Sequence, residues 1–309
     1  MSPTTFTPFA AEHLEGAAQV LERRHHIQQQ MVGPMAQGVD FLAQVTSAFQ
    51  EASGSVALRD GIVVGYLLGK VQSDNGGPHI WSHLAGHGCH DEDLVGDLYA
   101  LAAKGWVETG LTRHFIFAPA PQEFIEPWFR LGFGASAYLA TRAATPDPKW
   151  VNPGLTIRRV ETTDVNAVAR LERSLFLSLR ESPSFSDIEI ESPEEFEQSW
   201  ISMQDDERYV AWCAEVDGSV VGELFLYRRP EGDLRVPPKS IDLSSASVDP
   251  HFRRRGIARA LTHTALTWAS ENDFETIITD WRATNLTAAK TWPQLGFEPT
   301  FIRLQRSIP

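Results

Sequence analysis

Ser247-Val-Asp-Pro-His-Phe-Arg-Arg-Arg-Gly-Ile-Ala-Arg259 joins a strand to a helix. The run Ile241 to Val248 reads as the strand, Asp249-Pro250 stops it, and a helix is expected from about Gly256. Ile257, Leu261, Ala265 and Trp268 then fall on one face at near-helical spacing. A helix start exposes unpaired N–H groups and the positive end of the helix dipole, so the junction suits a phosphate. Gly256 lets a ligand approach the backbone and Ala258 keeps the helix start uncrowded. Arg253, Arg254, Arg255 and Arg259 add formal charge. The same residues also describe an ordinary solvated basic helix start, because a short glycine loop is weak evidence alone.

Outward from this junction the second half alternates strands and helices. Leu155–Val160 is a short strand, and Thr163 or Asp164 caps a helix from Val165 to about Arg180. Tyr209–Val216 and Val220–Tyr227 flank Asp217-Gly218, a hairpin signature. Thr276–Thr279 returns as a strand, a short helix leads to Leu295-Gly296-Phe297, and a last strand runs through Arg306. The fold class is α/β, or α+β in some schemes: a mixed, mostly antiparallel sheet flanked by helices.

The pattern occurs twice. Trp128-Phe-Arg-Leu-Gly-Phe133 and Trp292-Pro-Gln-Leu-Gly-Phe297 share four of six residues, Arg142 aligns with Arg306 at the same offset of 164, and Leu21-Glu-Arg23 matches Leu171-Glu-Arg173 at 150. Two copies follow, an N-terminal one over residues 1–144 and a C-terminal one over 155–309. The proline-rich stretch 145–154 reads as an extended linker.

Arg253-x-x-Gly256-x-Ala258 resembles the Gln/Arg-x-x-Gly-x-Gly/Ala signature of the GNAT superfamily of N-acetyltransferases. Asn285-x-x-Ala288 with Leu295-Gly296-Phe297 resembles a second hallmark of that family. The resemblance covers nearly all of 155–309, and residues 6–142 are similar to the same fold, so the chain looks like a tandem GNAT protein. It implies acetyl-CoA as acyl donor, with the backbone of Ser247 and Val248 along the acetyl and pantetheine group. It also implies the amides from Arg254 through Ile257 to Arg259 around the pyrophosphate, and Asn285 on the cofactor arm. Trp292, which the resemblance also places among the cofactor-binding residues, stands where the family often has a tyrosine acid, and an indole N–H only donates. The implied activity is N-acetyl transfer to a small-molecule or peptide amine attacking the thioester directly. The alternative is a non-catalytic CoA-binding or sensing protein on the same scaffold.

A direct attack needs a base. Asp242, six residues before Val248 at a spacing that resembles that of the glutamate base in histone acetyltransferases, is the first candidate and shares a face with Ser244, Ala246 and Val248 by strand alternation. A solvent-facing strand-end aspartate is the plain alternative, and Glu223 on the neighbouring strand is the second candidate. In the first copy, Gly256 falls on Glu92, or on Asp93 with a one-residue slip. The arginine triplet falls on Cys89, His90 and Asp91, and Asn285 on Pro121. An acidic loop repels a pyrophosphate, so this copy is expected to be degenerate.

Composition bounds the rest. The net charge of −13 argues against nucleic acid as a partner. No long apolar run or signal-peptide pattern is seen, so no membrane partner is expected. Two cysteines outside any Cys-x-x-Cys spacing suit the cytoplasm. His83-x-x-x-His87-x-Cys89-His90 has zinc-ligand types but no zinc spacing, so no metal is assigned, and Cys213 reads as a buried small side chain. The seven acids of Glu181–Glu197 either steer an amine or form a solvated helix face starting at Ser192.

Overall fold

The computed structural model describes residues 3–230 and 232–309. The chain divides into two compact units. The first runs to Leu139 and takes in Gly232–Arg235 and Pro299–Pro309; the second is the rest, from Ala140 to Glu298.

In the first unit the order is β1 (Thr4–Pro8), α1 (Leu14–Val32), α2 (Phe41–Phe49), β2 (Ala52–Arg59), β3 (Ile62–Asp74), β4 (Gly77–Ser82), β5 (His87–Cys89), α3 (Leu94–Glu108), β6 (Arg113–Pro119) and α4 (Gln122–Arg130). β7 (Gly134–Ala143) then leads from the first unit into the second. The sheet runs β1-β2-β3-β4-β6, antiparallel except for the parallel β4/β6 pair, and β5 also pairs with β3.

The second unit holds β8 (Thr156–Arg159), α5 (Val165–Arg180), α6 (Pro193–Gln204), β9 (Tyr209–Val216), β10 (Ser219–Tyr227), β11 (Ser240–Val248), α7 (Ile257–Glu271), β12 (Thr276–Arg282) and α8 (Leu286–Gln294). Its sheet order is β8-β9-β10-β11-β12, with only β11/β12 parallel. Asp217 and Gly218 turn the β9–β10 hairpin at φ +50° and +78°, the left-handed pair that a two-residue turn between twisted strands requires. α6 begins with proline in its first turn and a capping box: Glu195 N–H donates to Ser192 Oγ, and Ser192 N–H to Glu195 Oε2.

Val165, Val168 and Ala169 of α5 and Phe196 and Trp200 of α6 pack with Cys213 and Phe225 on one face of the sheet. α7 approaches β10 closely: a Cβ on Gly222 would lie 2.9 Å from Ile257 Cγ2, so the contact depends on glycine there. Helices thus flank a mixed, mostly antiparallel sheet, as the strand and helix periods indicate.

The units differ from the division expected in the sequence. The last strand, β13 (Glu298–Ser307), was assigned to the second copy, yet Pro299–Pro309 belongs to the first unit. There it pairs antiparallel with β6 from Phe301/Pro119 to Ser307/Arg113. Ile302 and Leu304 enter the core that contains Trp106 and Trp128, and the β6 edge is covered. The expected linker 145–154 is folded into the second unit. Pro148–Trp150 is a 3-10 turn capped by Asp147, and Asn152 Nδ2 donates to Arg255 O at 3.1 Å.

The repeat also needs a different register. α1 and α5 each follow a 3-10 turn and begin at Leu14 and Val165, so equivalent helix positions are 151 apart. The buried Ala17, Ala18, Val20 and Leu21 then match Val168, Ala169, Leu171 and Glu172. The Leu-Glu-Arg match at 150 lies one residue out of structural step.

Candidate active site

β11 and β12 pair in parallel only from Ser240/Thr276 to Leu243/Thr279, although β11 continues to Val248 and β12 to Arg282. Thr279 Oγ1 donates to Leu243 O at 3.0 Å where the ladder ends. Beyond that point the strands part, and the β12-facing edge of Ser244–Val248 has no partner in this ladder. Such an edge offers backbone donors and acceptors to an extended ligand.

The edge runs directly into the expected anion loop. Asp249 caps the 3-10 turn Pro250–Phe252, Arg254 takes φ +62°, and Gly256 (φ +78°) is the N-cap of α7 with no side-chain cap bond. The first amides of a fifteen-residue helix are therefore left to a ligand or solvent. Arg253, Arg254, Arg255 and Arg259 are all exposed around it. Arg253 Nε donates to Val248 O at 3.4 Å, and Arg255 lies over the Phe252 ring at 5.0 Å, so both help to shape the loop. Ile257 is buried and anchors the helix start, and Ala258 is half-buried.

Asn285 is the N-cap of α8, accepting from Ala288 N–H at 3.1 Å. This gives the Asn-x-x-Ala spacing a structural cause. Trp292 does not line the cleft as its cofactor-binding assignment requires: it is 8% exposed and meets Phe297 edge-on at 5.4 Å. Helical spacing puts it on the core side of α8.

The two candidate bases exchange rank. A bulge between β10 and β11 pairs Phe225 with Ser245 and Leu226 with Leu243, leaving Ser244 as the extra residue. The extra residue inverts the alternation, so Asp242 shares its face with Ser245 and Ser247 rather than with Ser244, Ala246 and Val248. Asp242 is also neither solvent-facing nor available as a base: it is buried and ion-paired with Arg229 Nε. Asp242→Asn is expected to cost about 2 kcal/mol in denaturant unfolding. That is less than the roughly 3–5 kcal/mol of a fully buried pair, because Arg229 is partly exposed.

Glu223 lies directly across the ladder from Ser247, on the face covered by α5 and α6, and is fully buried. Ser245 Oγ donates to its Oε1 at 3.1 Å, and its Oε2 has no aligned donor. Burial and then the charge of Glu172 push its carboxyl up to about 8, against the opposing pull of the Ser247 and Ser245 hydroxyls. A base near neutrality, one strand from the open edge, is what proton removal from an ammonium needs.

Glu172 was not singled out in the sequence. It lies on α5 with Oε2 accepting from Trp200 Nε1 at 2.8 Å, and burial pushes it up to about 7. Its signal was present: it continues the apolar stripe Val165, Val168, Ala169, where a charged residue is out of place.

In the first unit Cys89 pairs with Gly65 as Val248 pairs with Gly222. Cys89 therefore matches Val248 and not the arginine triplet. From there to the helix the first unit has four residues, His90–Asp93, against eight, Asp249–Gly256. Its histidines are separately committed. His83 accepts from Trp81 Nε1 at 3.0 Å, while buried His87 accepts from Arg24 and donates from Nε2 to Phe117 O at 2.8 Å. Burial and then Arg24 push His87 down to about 3. Among the described residues no group of three His, Cys, Asp or Glu side chains is placed to hold a metal. No helix among them is long and apolar enough to cross a membrane.

Residues 174–297 match the profile of the Acetyltransferase (GNAT) family. The chain is 31% identical over 86 residues to N-acetylaspartate synthetase of Danio rerio and 33% identical over 89 residues to human N-acetyltransferase 8. These stretches are 28% and 29% of this chain and span only 28% and 38% of those proteins' own lengths. Among solved structures, a GCN5-related N-acetyltransferase from Sphaerobacter thermophilus aligns with TM-score 0.58 and 14% identity, covering 99% of this chain and 97% of that one. A tandem GNAT protein from the clavulanic acid biosynthesis pathway aligns with TM-score 0.52 and 14% identity, covering 99% and 98%. These two likenesses are in fold.

Proposed function

We propose, because residues 174–297 match the GNAT family profile, that this chain is an acyl-CoA-dependent N-acyltransferase, with acetyl as the transferred group. The observation that carries the reading is the open edge of β11 from Ser244 to Val248, continuous with the uncapped start of α7 at Gly256. Acetyl-CoA fits this arrangement. The Ser247 and Val248 backbone would hold the acetyl and pantetheine group, and amides from Arg254 to Arg259 the pyrophosphate, with the four arginines neutralising its charge. Asn285 fixes the start of α8 and borders the arm through that cap.

Glu223 accepts one proton from the acceptor's ammonium. The freed nitrogen pair forms the C–N bond, the C–S bond breaks, and the second N–H proton ends on the departing thiolate. A thiolate is stable enough near neutrality to leave without a tyrosine acid and to receive that second proton relayed through water, so Trp292 is no obstacle. The acceptor is an amine-bearing small molecule or peptide. Two unbridged cysteines suit the cytoplasm.

The first unit is the degenerate copy in this reading. Its loop is four residues shorter, and Asp91, Glu92 and Asp93 stand where the second unit has arginines and glycine. Isothermal titration of acetyl-CoA is expected to give one site per chain. Two sites would contradict the degeneracy, and no binding at millimolar acetyl-CoA would contradict the transferase. Binding without turnover of any amine would favour the non-catalytic sensing alternative.

A further inference from the structure

We propose that Glu172 is the positioning partner of Glu223: α5 lowers a second carboxylate onto the strand residue, so that the two hold one proton between them and the pair sets where Glu223 becomes a base. The inference rests on the transferase reading for its kinetic consequence, though not for the pair itself.

Both side chains are buried between the sheet and the α5–α6 layer; Trp200 Nε1 donates to Glu172, and Ser245 Oγ donates to Glu223, on which Ser247 also acts. The groups facing them are Trp200 from α6, Cys213 from β9, Ser245 and Ser247 from β11, and Glu191 ahead of α6, whose charge acts on Glu172; further along the same β11 face lies Asp242, already paired with Arg229. Among the described residues acting on either carboxylate, none is basic. Two like charges without a cation in a low-dielectric site cannot both ionise cheaply, so the pair retains a proton.

The chain supplies its own control. With α1 and α5 in step and Gly65 matched to Gly222, the first unit places Leu21 at the position of Glu172 and Tyr66 at that of Glu223. Both are fully buried. The scaffold therefore closes over this spot with a leucine and a tyrosine, and the fold itself does not demand a pair of acids. The carboxylates occur in the unit that has the open edge and the arginine loop, and are replaced in the unit that lacks the loop. Trp200 holds Glu172 toward the sheet while its other side packs on Phe225 at 5.5 Å. Glu172 acts through Glu223 and is not assigned contact with the reacting atoms.

The test uses the full chain with Glu172→Leu, which copies the first unit, and Glu172→Gln as a second variant. Two readouts are taken against pH. The first is the acid limb of amine-dependent thiol release from acetyl-CoA, expected to move about one pH unit lower in both variants as the neighbouring charge is removed. The second is thermal stability relative to wild type. A carboxylate raised in the folded state contributes stability that is fully present below its unfolded value near 4.5 and lost as pH rises through 7 to 8. Removing one partner relieves that loss, so the variant-minus-wild-type difference in Tm should rise steadily from pH 5 to 8. An unmoved acid limb, or a difference that is flat with pH, would overturn the pair; burial of Glu172 by itself already makes the difference rise with pH, so the acid limb is the readout that separates coupling from burial. Absence of turnover in every protein would count against the transferase, and the pair would then be decided by a double-mutant cycle of Glu172→Gln and Glu223→Gln in Tm at pH 8, where non-additive effects support it and additive effects overturn it.

Discussion

Glu223→Gln is expected to lower amine-dependent thiol release by about 10²–10⁴-fold at pH 8, the usual worth of a positioned general base. Acetyl-CoA affinity should change less than twofold. The split follows from placement: the side chain is on the α5 and α6 face, whereas the unpaired backbone edge and the arginine loop are what a cofactor would touch. The amide is isosteric and neutral, so it removes the proton acceptor without adding buried charge. Wild-type activity should rise with pH to a limb near 8, where Glu223 ionises. A steady-state pH profile with a parallel binding titration checks both parts. An equal fall in affinity and rate would mean that Glu223 supports the cleft and does not take the proton.

Gly256→Glu is expected to weaken acetyl-CoA binding about 100-fold or more in a calorimetric titration. Two effects add. A non-glycine residue in the left-handed region costs roughly 1–2 kcal/mol, and Gly256 stands at φ +78°. The new carboxylate also sits at the helix start, where it competes with a pyrophosphate for the same amides. Space is not the issue, since a Cβ there would meet only Asn152 Nδ2 at 3.5 Å. Gly256→Asn separates the two effects, because asparagine tolerates this conformation and carries no charge. It should bind within about tenfold of wild type, and equal losses in both variants would assign the effect to backbone strain.

What was legible in the sequence was local. Asp217-Gly218 fixed a hairpin because only a left-handed turn joins strands that closely. The face of Ile257, Leu261 and Ala265 fixed α7, and all three are buried. The loop itself was legible because arginines and glycine announce it in order along the chain.

The base was not, for two reasons that no local pattern carries. One extra residue at Ser244 inverts a strand's alternation, and that bulge shows only in the pairing with β10. The Arg229 that claims Asp242 comes from beyond the end of the neighbouring strand. Glu172 was legible in principle as an acid on an apolar stripe, but its meaning depends on Glu223, fifty-one residues away. The place of β13 in the first unit was hidden for a similar reason. Ile302 and Leu304 alternating with Arg303 and Gln305 suit any half-buried strand, and only the structure gives it β6.

The central claim is that one site, in the second unit, moves an acyl group to an amine. The most direct measurement is release of free thiol from acetyl-CoA by the full chain with a panel of polyamines, aminoglycosides and amino acids at pH 8. The account predicts release that requires both acetyl-CoA and an amine, and that disappears together with cofactor binding in Gly256→Glu. Tight binding of acetyl-CoA with no amine-dependent release across the panel would contradict it and favour a CoA-sensing protein on a transferase scaffold.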